Sequence, residues 1–261
     1  MFPIRDDNPG ILTPVATVAL IVANALAWVF LQGLGADPAL SGSVCKLGLI
    51  PGELLSLVPP GTRFPIGPQS ACVLGDGGSW HTVFTSMFMH GGWFHILGNM
   101  WFLWIFGNNV EDAMGPLRFV IFYLLCGVGA AGLQVAADPA STIPMVGASG
   151  AIGGVMGAYI LLYPRVHVHL LIFLGFYVTT IAIPAVFMLG YWFLLQLLGG
   201  FTSLQATGGG VAFWAHVGGF AAGAILVFLF RDKALLERHP YHGWRGKGSA
   251  SRSWHRIDKR R

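Results

Sequence analysis

Two polar side chains interrupt stretches of this chain that otherwise carry no charge. Ser149 lies in Gly147-Ala148-Ser149-Gly150, and His216 lies in Ala215-His216-Val217-Gly218-Gly219. A hydroxyl and an imidazole are the minimal parts of a hydrolytic nucleophile and its base. Placing an ionisable group within an apolar span costs several kcal/mol unless it is partnered or hydrated, so such a group is a functional candidate by default. A second pair, His95 and Asn99, stands four residues apart, the spacing that puts both on one face of a helix. Both can donate hydrogen bonds to an oxygen that gains charge.

Composition sets the surroundings of these residues. The chain has 261 residues, 54% of them hydrophobic and only 10% charged, with mean hydropathy +0.66. Soluble domains carry charge on about a quarter of their residues. Between Arg165 and Arg231 there is no Asp, Glu, Lys or Arg, a run of 65 residues. A single span takes ~20 residues, so this run must fold back on itself within a membrane. The expected class is an all-α polytopic membrane protein.

Punctuation by Gly, Pro and charge predicts six helices. They fall at about Ile11–Leu34, Met87–Phe106, Leu117–Ala137, Val146–Tyr163, within Leu170–Leu198, and Val211–Phe230. Pro164 stops the fourth, and Pro184 is expected to kink the fifth. A long Gly/Pro-rich loop, Gly35–Ser79, holds a short apolar piece, Leu47–Val58, that is too short to cross. The first helix has no obvious cleavage site and reads as retained. The turn Gly199–Gly210 and the aromatic fifth helix (Tyr191, Trp192, Phe193) are the segments expected to gate the site.

Orientation follows from the Lys/Arg bias. The tail Arg231–Arg261 has ten basic and three acidic residues, a net +7, and is expected in the cytoplasm together with the N-terminus. Only Lys46 and Arg63 then lie outside. The tail reads as a topology signal and lipid-contacting segment rather than a nucleic-acid arm. The chain divides into a cytoplasmic N-terminus 1–10, a catalytic six-helix domain 11–230 and a basic tail 231–261. Cys45 and Cys72 share the first loop and are open to two readings. They bridge if that loop faces an oxidising compartment, or they are free thiols. Cys126, in an apolar run, reads as a packing residue.

With this orientation the even-numbered helices all run inward. Ser149, His216, His95 and Asn99 then reach similar depth on three helices, the first two within roughly 10 Å of the outer helix ends. Ser149, Gly153 and Gly157 are spaced i, i+4, i+8, and His216, Gly219 and Gly223 i, i+3, i+7. Each reactive residue therefore heads a glycine stripe, the pattern that lets membrane helices approach closely. Small-residue stripes usually mean packing alone; here both begin at a reactive side chain. Unpaired N–H groups in the first helical turn at Ser149 can also stabilise an oxyanion.

These motifs resemble those of the rhomboid intramembrane serine proteases. The resemblance rests on Gly147-Ala148-Ser149-Gly150, on Ala215-His216-Val217-Gly218-Gly219, and on His90-Gly91-Gly92-Trp93-Phe94-His95-Ile96-Leu97-Gly98-Asn99. Gly107-Asn108-Asn109-Val110-Glu111-Asp112 and the six-helix plan with a long first loop add to it. It implies a Ser149 nucleophile, a His216 base, an oxyanion hole of His95, Asn99 and the Ser149 amide, and a structural His90 near the mouth. It further implies a multi-pass protein, of bacterial plasma-membrane type, that cuts transmembrane segments of single-span proteins near the outer face and needs no metal or organic cofactor. Two positions depart. Gly153 stands where many rhomboids stack an aromatic ring on the catalytic histidine, and Trp80-His81 replaces Trp-Arg. A dyad has no Asp to orient its imidazole, so the first departure leaves open what holds His216.

Other classes fit less well. His95 is followed by Ile-Leu-Gly-Asn, without the glutamate of a His-Glu-x-x-His zinc site. The six spans hold no carboxylate pair for an aspartyl protease. A transporter would use broken helices and buried polar groups too, but the halves show no repeat. A catalytically silent rhomboid-like protein would bind membrane clients without cutting; such proteins lack the Ser/His pair.

Overall fold

The computed structural model describes residues 2–66, 70–175, 177–203 and 211–241. A short strand, β1 (Phe2–Asp6), precedes the first apolar helix, α1 (Val15–Phe30). The long first loop folds into α2 (Ala39–Leu47), the single turn α3 (Pro51–Leu54), the hairpin β2 (Arg63–Pro65) and β3 (Ala71–Val73), and the turn α4 (Thr82–Thr85). Then come α5 (Trp93–Met114), α6 (Pro116–Ala137) and α7 (Ser149–Leu162). A hairpin, β4 (His167–Leu174) and β5 (Tyr177–Pro184), leads to α8 (Ala185–Ser203), α9 (Phe213–Phe230) and the short α10 (Lys233–Arg238). Among the described residues α6, α8 and α9 are long and apolar enough to cross a membrane, and α1 and α7 are shorter apolar helices.

The bundle is built around α7. Its residues from Gly150 through Tyr159 are all buried, because α5, α6, α8 and α9 pack around it. At 1.5 Å per residue its 14 residues reach only about 21 Å, against a hydrocarbon core of ~30 Å. The helix that begins at Ser149 is thus too short to span alone, and its first residue lines a cavity in the bundle. Gly223 on α9 abuts Gly154 on α7, and Gly219 abuts Gly150, so these two helices run in the same direction.

The apolar run 170–184 is a β-hairpin, which corrects the expected helix over that stretch. A continuous apolar run does not by its periodicity distinguish a strand from a buried helix. The deciding features are Gly175 at the turn, with φ +62°, and the β-branched Val178, Thr179, Thr180, Ile181 and Ile183 beyond it. The fifth helix starts at Ala185, so Pro184 ends a strand instead of kinking a helix. It extends through Ser203, taking in part of the expected Gly199–Gly210 turn; residues 204–210 lie outside the described residues. Most of the basic tail, from His242, lies outside them as well.

Residues 2–6 also have a place in the fold. β1 pairs antiparallel with β4, completing a sheet of order β1-β4-β5. Phe2 stacks on Trp101, whose indole N–H donates to the Pro3 carbonyl at 2.6 Å. The second helix differs from its expected bounds at both ends. Met87 belongs to a 3₁₀ turn, and α5 continues past Phe106 to Met114, so Glu111 and Asp112 are helical. Glu111 caps the N-terminus of α1, and Asp112 holds the segment just before it. Glu111 accepts from Ala16 N, Thr17 N and Thr17 Oγ1, and Asp112 from Ile11 N and Leu12 N, all at 2.6–2.9 Å. The Glu111 carboxylate pairs free N–H groups of a helix start and sits at the favourable end of its dipole.

On the opposite face the first loop braces the segment that leads to Ser149. Leu49 and Met145 exchange two backbone hydrogen bonds, and Gly52 N donates to Ser141 O. Cys45 and Cys72 are disulfide-bonded, tying α2 to β3. Of the two readings open to these cysteines, the structure adopts the bridge.

Two predictions follow from these contacts. Glu111→Ala would leave three buried donors unpaired and should cost at least ~2 kcal/mol, read as a lower melting temperature of the purified protein; an unchanged melt would refute the capping role. Asp6 receives the Tyr159 hydroxyl hydrogen bond at 2.5 Å, yet burial outweighs that bond and pushes its carboxyl up from 3.8 to about 6. The folded state therefore holds this proton more tightly than the unfolded chain. The associated stability is complete below the unfolded value and is lost as pH rises through about 6. Relative to Asp6→Asn, the native protein should lose up to about 2 kcal/mol between roughly pH 4 and pH 7; parallel pH profiles of the two melts would contradict this.

Candidate active site

Three helices begin at one place. His95 is the third residue of α5, Ser149 the first of α7 and His216 the fourth of α9. Each helix start carries unpaired N–H groups and the positive end of a dipole. Their meeting makes a region where negative charge is favoured. Ser149 stands one residue inside the start of its helix, closer to the free amides than the expected helix start at Val146 implied.

Ser149 Oγ and His216 Nε2 are 2.8 Å apart. That distance requires α7 and α9 to approach backbone to backbone. A Cβ on Gly219 would overlap the Gly150 carbonyl, and one on Gly223 would overlap the Gly154 backbone. The two glycine stripes thus face each other, as their spacing implied.

The loop before α7 fixes the other side of the serine. Gly147 has φ +123°, a conformation that favours glycine, and its N–H donates to Ser86 O at 2.9 Å. A Cβ there would come 2.6 Å from His95 Nε2 and 3.4 Å from Ser149 Oγ. His95 and Ser149 therefore border the same small space. His95 Nδ1 accepts from Gly91 N at 3.3 Å, which leaves Nε2 as the protonated nitrogen of the neutral ring, turned toward Gly147. Asn99, one turn further along α5, is buried, and its Nδ2 has no hydrogen-bond partner among the described residues. A buried donor left unpaired is costly unless something in its working cycle satisfies it.

His90 lies beneath His95, their rings edge to face at 5.2 Å. The Gln32 side chain clamps the His90 backbone, accepting from its N–H and donating to its carbonyl, both at 2.8 Å. His90 is fully buried behind His95 and does not itself line the cavity. Ser149, His216, His95 and Asn99 all line one cavity of about 720 Å³, which Trp192 and Met156 also border. The structure brings all four sequence-derived candidates together.

Two residues were not picked out from sequence. Gln196 on α8 faces the imidazole from behind, its Oε1 2.8 Å from His216 Nδ1. Gln134 on α6 accepts from Ala215 N at 3.1 Å and borders the cavity. The signal was present in both cases: each is a lone amide within an apolar helix, the same anomaly that marked Ser149.

A family model described as Rhomboid domain matches residues 77–233, more than half of the chain and the stretch that holds every residue of this site. The chain belongs to the rhomboid family. It is a multi-pass integral membrane protein. Relatives include the rhomboid protease GluP of Bacillus subtilis, 33% identical over 143 residues, which are 50% of this chain and 27% of that protein. Rhomboid-like protein 4 of Arabidopsis thaliana is 32% identical over 172 residues, 66% of this chain and 37% of the relative. The chloroplastic rhomboid-like protein 11 of the same plant is 36% identical over 83 residues, 32% and 29% of the two chains. The chain thus spans about a third of the length of the relatives it matches.

The glycine contact makes a direct prediction. Gly223→Ala sits two turns from the dyad but would force α9 off α7. Such overpacking costs typically 1–3 kcal/mol, about 2 kcal/mol here, and should lower the melting temperature. It should also slow fluorophosphonate labelling of Ser149 at least about tenfold. Labelling at the native rate would show that the helix contact does not set the Ser149–His216 geometry.

Proposed function

We propose that this rhomboid is a serine-type intramembrane endopeptidase. The observation that carries the reading is the 2.8 Å contact between Ser149 Oγ and His216 Nε2, which line one cavity at the start of α7. His216 Nε2 takes the Ser149 proton as Oγ attacks a peptide carbonyl. The tetrahedral oxyanion is held by His95, Asn99 and the Ser149 amide, and the unpaired Asn99 Nδ2 is the donor in need of such an acceptor. His216 returns the proton to the leaving amine. Water then attacks the acyl-serine with His216 again as base, releasing the acid and restoring the hydroxyl. No step requires a metal or organic cofactor.

The substrate class of this reading rests on the rhomboid family and on the apolar helices around the site. A carbonyl that reaches Ser149 belongs to a chain within the membrane, and an intact helix hides its carbonyls in hydrogen bonds. In this reading the substrate is a transmembrane segment of a single-span protein that unwinds near the outer face, helped by small or helix-breaking residues. In this reading the N-terminus and the basic tail face the cytoplasm of a bacterial plasma membrane, residues 11–230 form the catalytic domain, and the tail 231–261 meets anionic lipid.

Cleavage of a single-span substrate by the purified protein in lipid tests the reading. Ser149→Ala and His216→Ala should abolish cleavage, and Asn99→Ala should lower kcat by about 10- to 1000-fold with little change in KM. Cleavage surviving in Ser149→Ala would overturn the nucleophile. Native protein that binds single-span clients and never cuts them would favour a silent rhomboid.

A further inference from the structure

We infer that Gln196 is the positioning residue of the dyad: it holds the His216 ring in the tautomer and orientation that leave Nε2 free to accept the Ser149 proton. The inference deepens the protease reading and rests on it for its functional meaning. Its structural content stands on a separate observation, the side-chain amide on α8.

Gly153 creates the need. A Cβ there would come 3.1 Å from the His216 carbonyl oxygen and 3.5 Å from Phe220 N, so a side chain would press on the α9 backbone. Position 153 therefore sits tight against the α9 backbone and, as glycine, offers no ring to stack on the imidazole. The ring needs a hold from elsewhere, because a free imidazole rotates and exchanges tautomers.

Hydrogen-bond chemistry fixes which hold it has. The Gln196 amide has one donor end and one acceptor end. Its Nε2 lies 3.4 Å from the Trp192 carbonyl, which can only accept. That contact places the NH₂ group on the Trp192 side and turns Oε1 toward His216 Nδ1, 2.8 Å away. An amide oxygen only accepts, so Nδ1 must carry the hydrogen. In a neutral imidazole the other nitrogen then has the lone pair, and that nitrogen is the Nε2 facing Ser149 Oγ. The Trp192 indole lies beside the same imidazole, ring centroids 5.8 Å apart, and limits its rotation. Orientation of the base therefore comes from α8, a third helix that carries neither member of the dyad.

Gln196→Met keeps length and apolar volume and removes the acceptor. Gln196→Glu restores an acceptor at the same place. In ¹⁵N-histidine-labelled protein at mildly alkaline pH, His216, assigned by its loss in His216→Ala, should show Nδ1 protonated and Nε2 unprotonated in the native chain. Gln196→Met should show a mixture of tautomers, and Gln196→Glu a single one. In cleavage assays Gln196→Met should lower kcat by on the order of 10- to 100-fold with KM within about twofold, and Gln196→Glu should recover most of that loss. Gln196→Leu replaces the Met variant if the latter does not fold. A single native tautomer in the Met or Leu variant, or native kcat in either, overturns the proposal. So does a Glu variant no better than the Met variant. Should the native protein cut no substrate, the protease reading fails by itself, while the tautomer measurement still decides the role of Gln196.

Discussion

The contact on which this fold turns is the backbone approach of α7 to α9. Gly219 and Gly223 lie against the carbonyls of Gly150 and Gly154, where any Cβ would overlap main-chain atoms. Within lipid, apolar surface gains nothing by leaving the solvent, so helices associate through close van der Waals packing. Glycine makes that packing closest and also brings the starts of both helices together. The 2.8 Å Ser149–His216 contact is the outcome of this packing. The same closeness leaves position 153 tight against α9, where glycine offers the imidazole no support.

Depth is the second constraint. Ser149 opens a 14-residue helix whose next ten residues are all buried, and a polar side chain so placed needs polar neighbours and an opening. The first loop supplies a brace through the Leu49–Met145 bridge and the Thr85–Leu47 hydrogen bond. At the other end of the bundle, Glu111 and Asp112 anchor the start of α1, while Arg118 and Asp232 pair at 3.4 Å between α6 and the end of α9. Buried carboxylates that satisfy helix amides are structural here, although their residue type alone would suggest chemistry.

Much of this was legible in one dimension. The apolar runs, their breaks and the glycine stripes located five of the six helices to within a few residues at most ends. The reactive residues were visible because a polar group in an apolar run is an anomaly. Two kinds of feature were not legible. The stretch 170–184 is apolar without a period, and its pairing with β1 depends on residues more than 160 positions away in sequence. Gln196 is visible as a lone amide in an apolar run, but its role is not legible, because its partner His216 lies on another helix.

The sequence by itself determined the membrane class, the helix plan and the identity of the candidate residues, since these depend on local hydrophobicity, spacing and side-chain chemistry. Only the tertiary structure decided which of two readings the cysteines follow, that residues 2–6 complete a sheet, and that α8 places an acceptor behind His216. Those outcomes depend on distances between segments remote in the chain. A pattern within one helix shows which face is small or polar; it does not show what packs against that face or how closely.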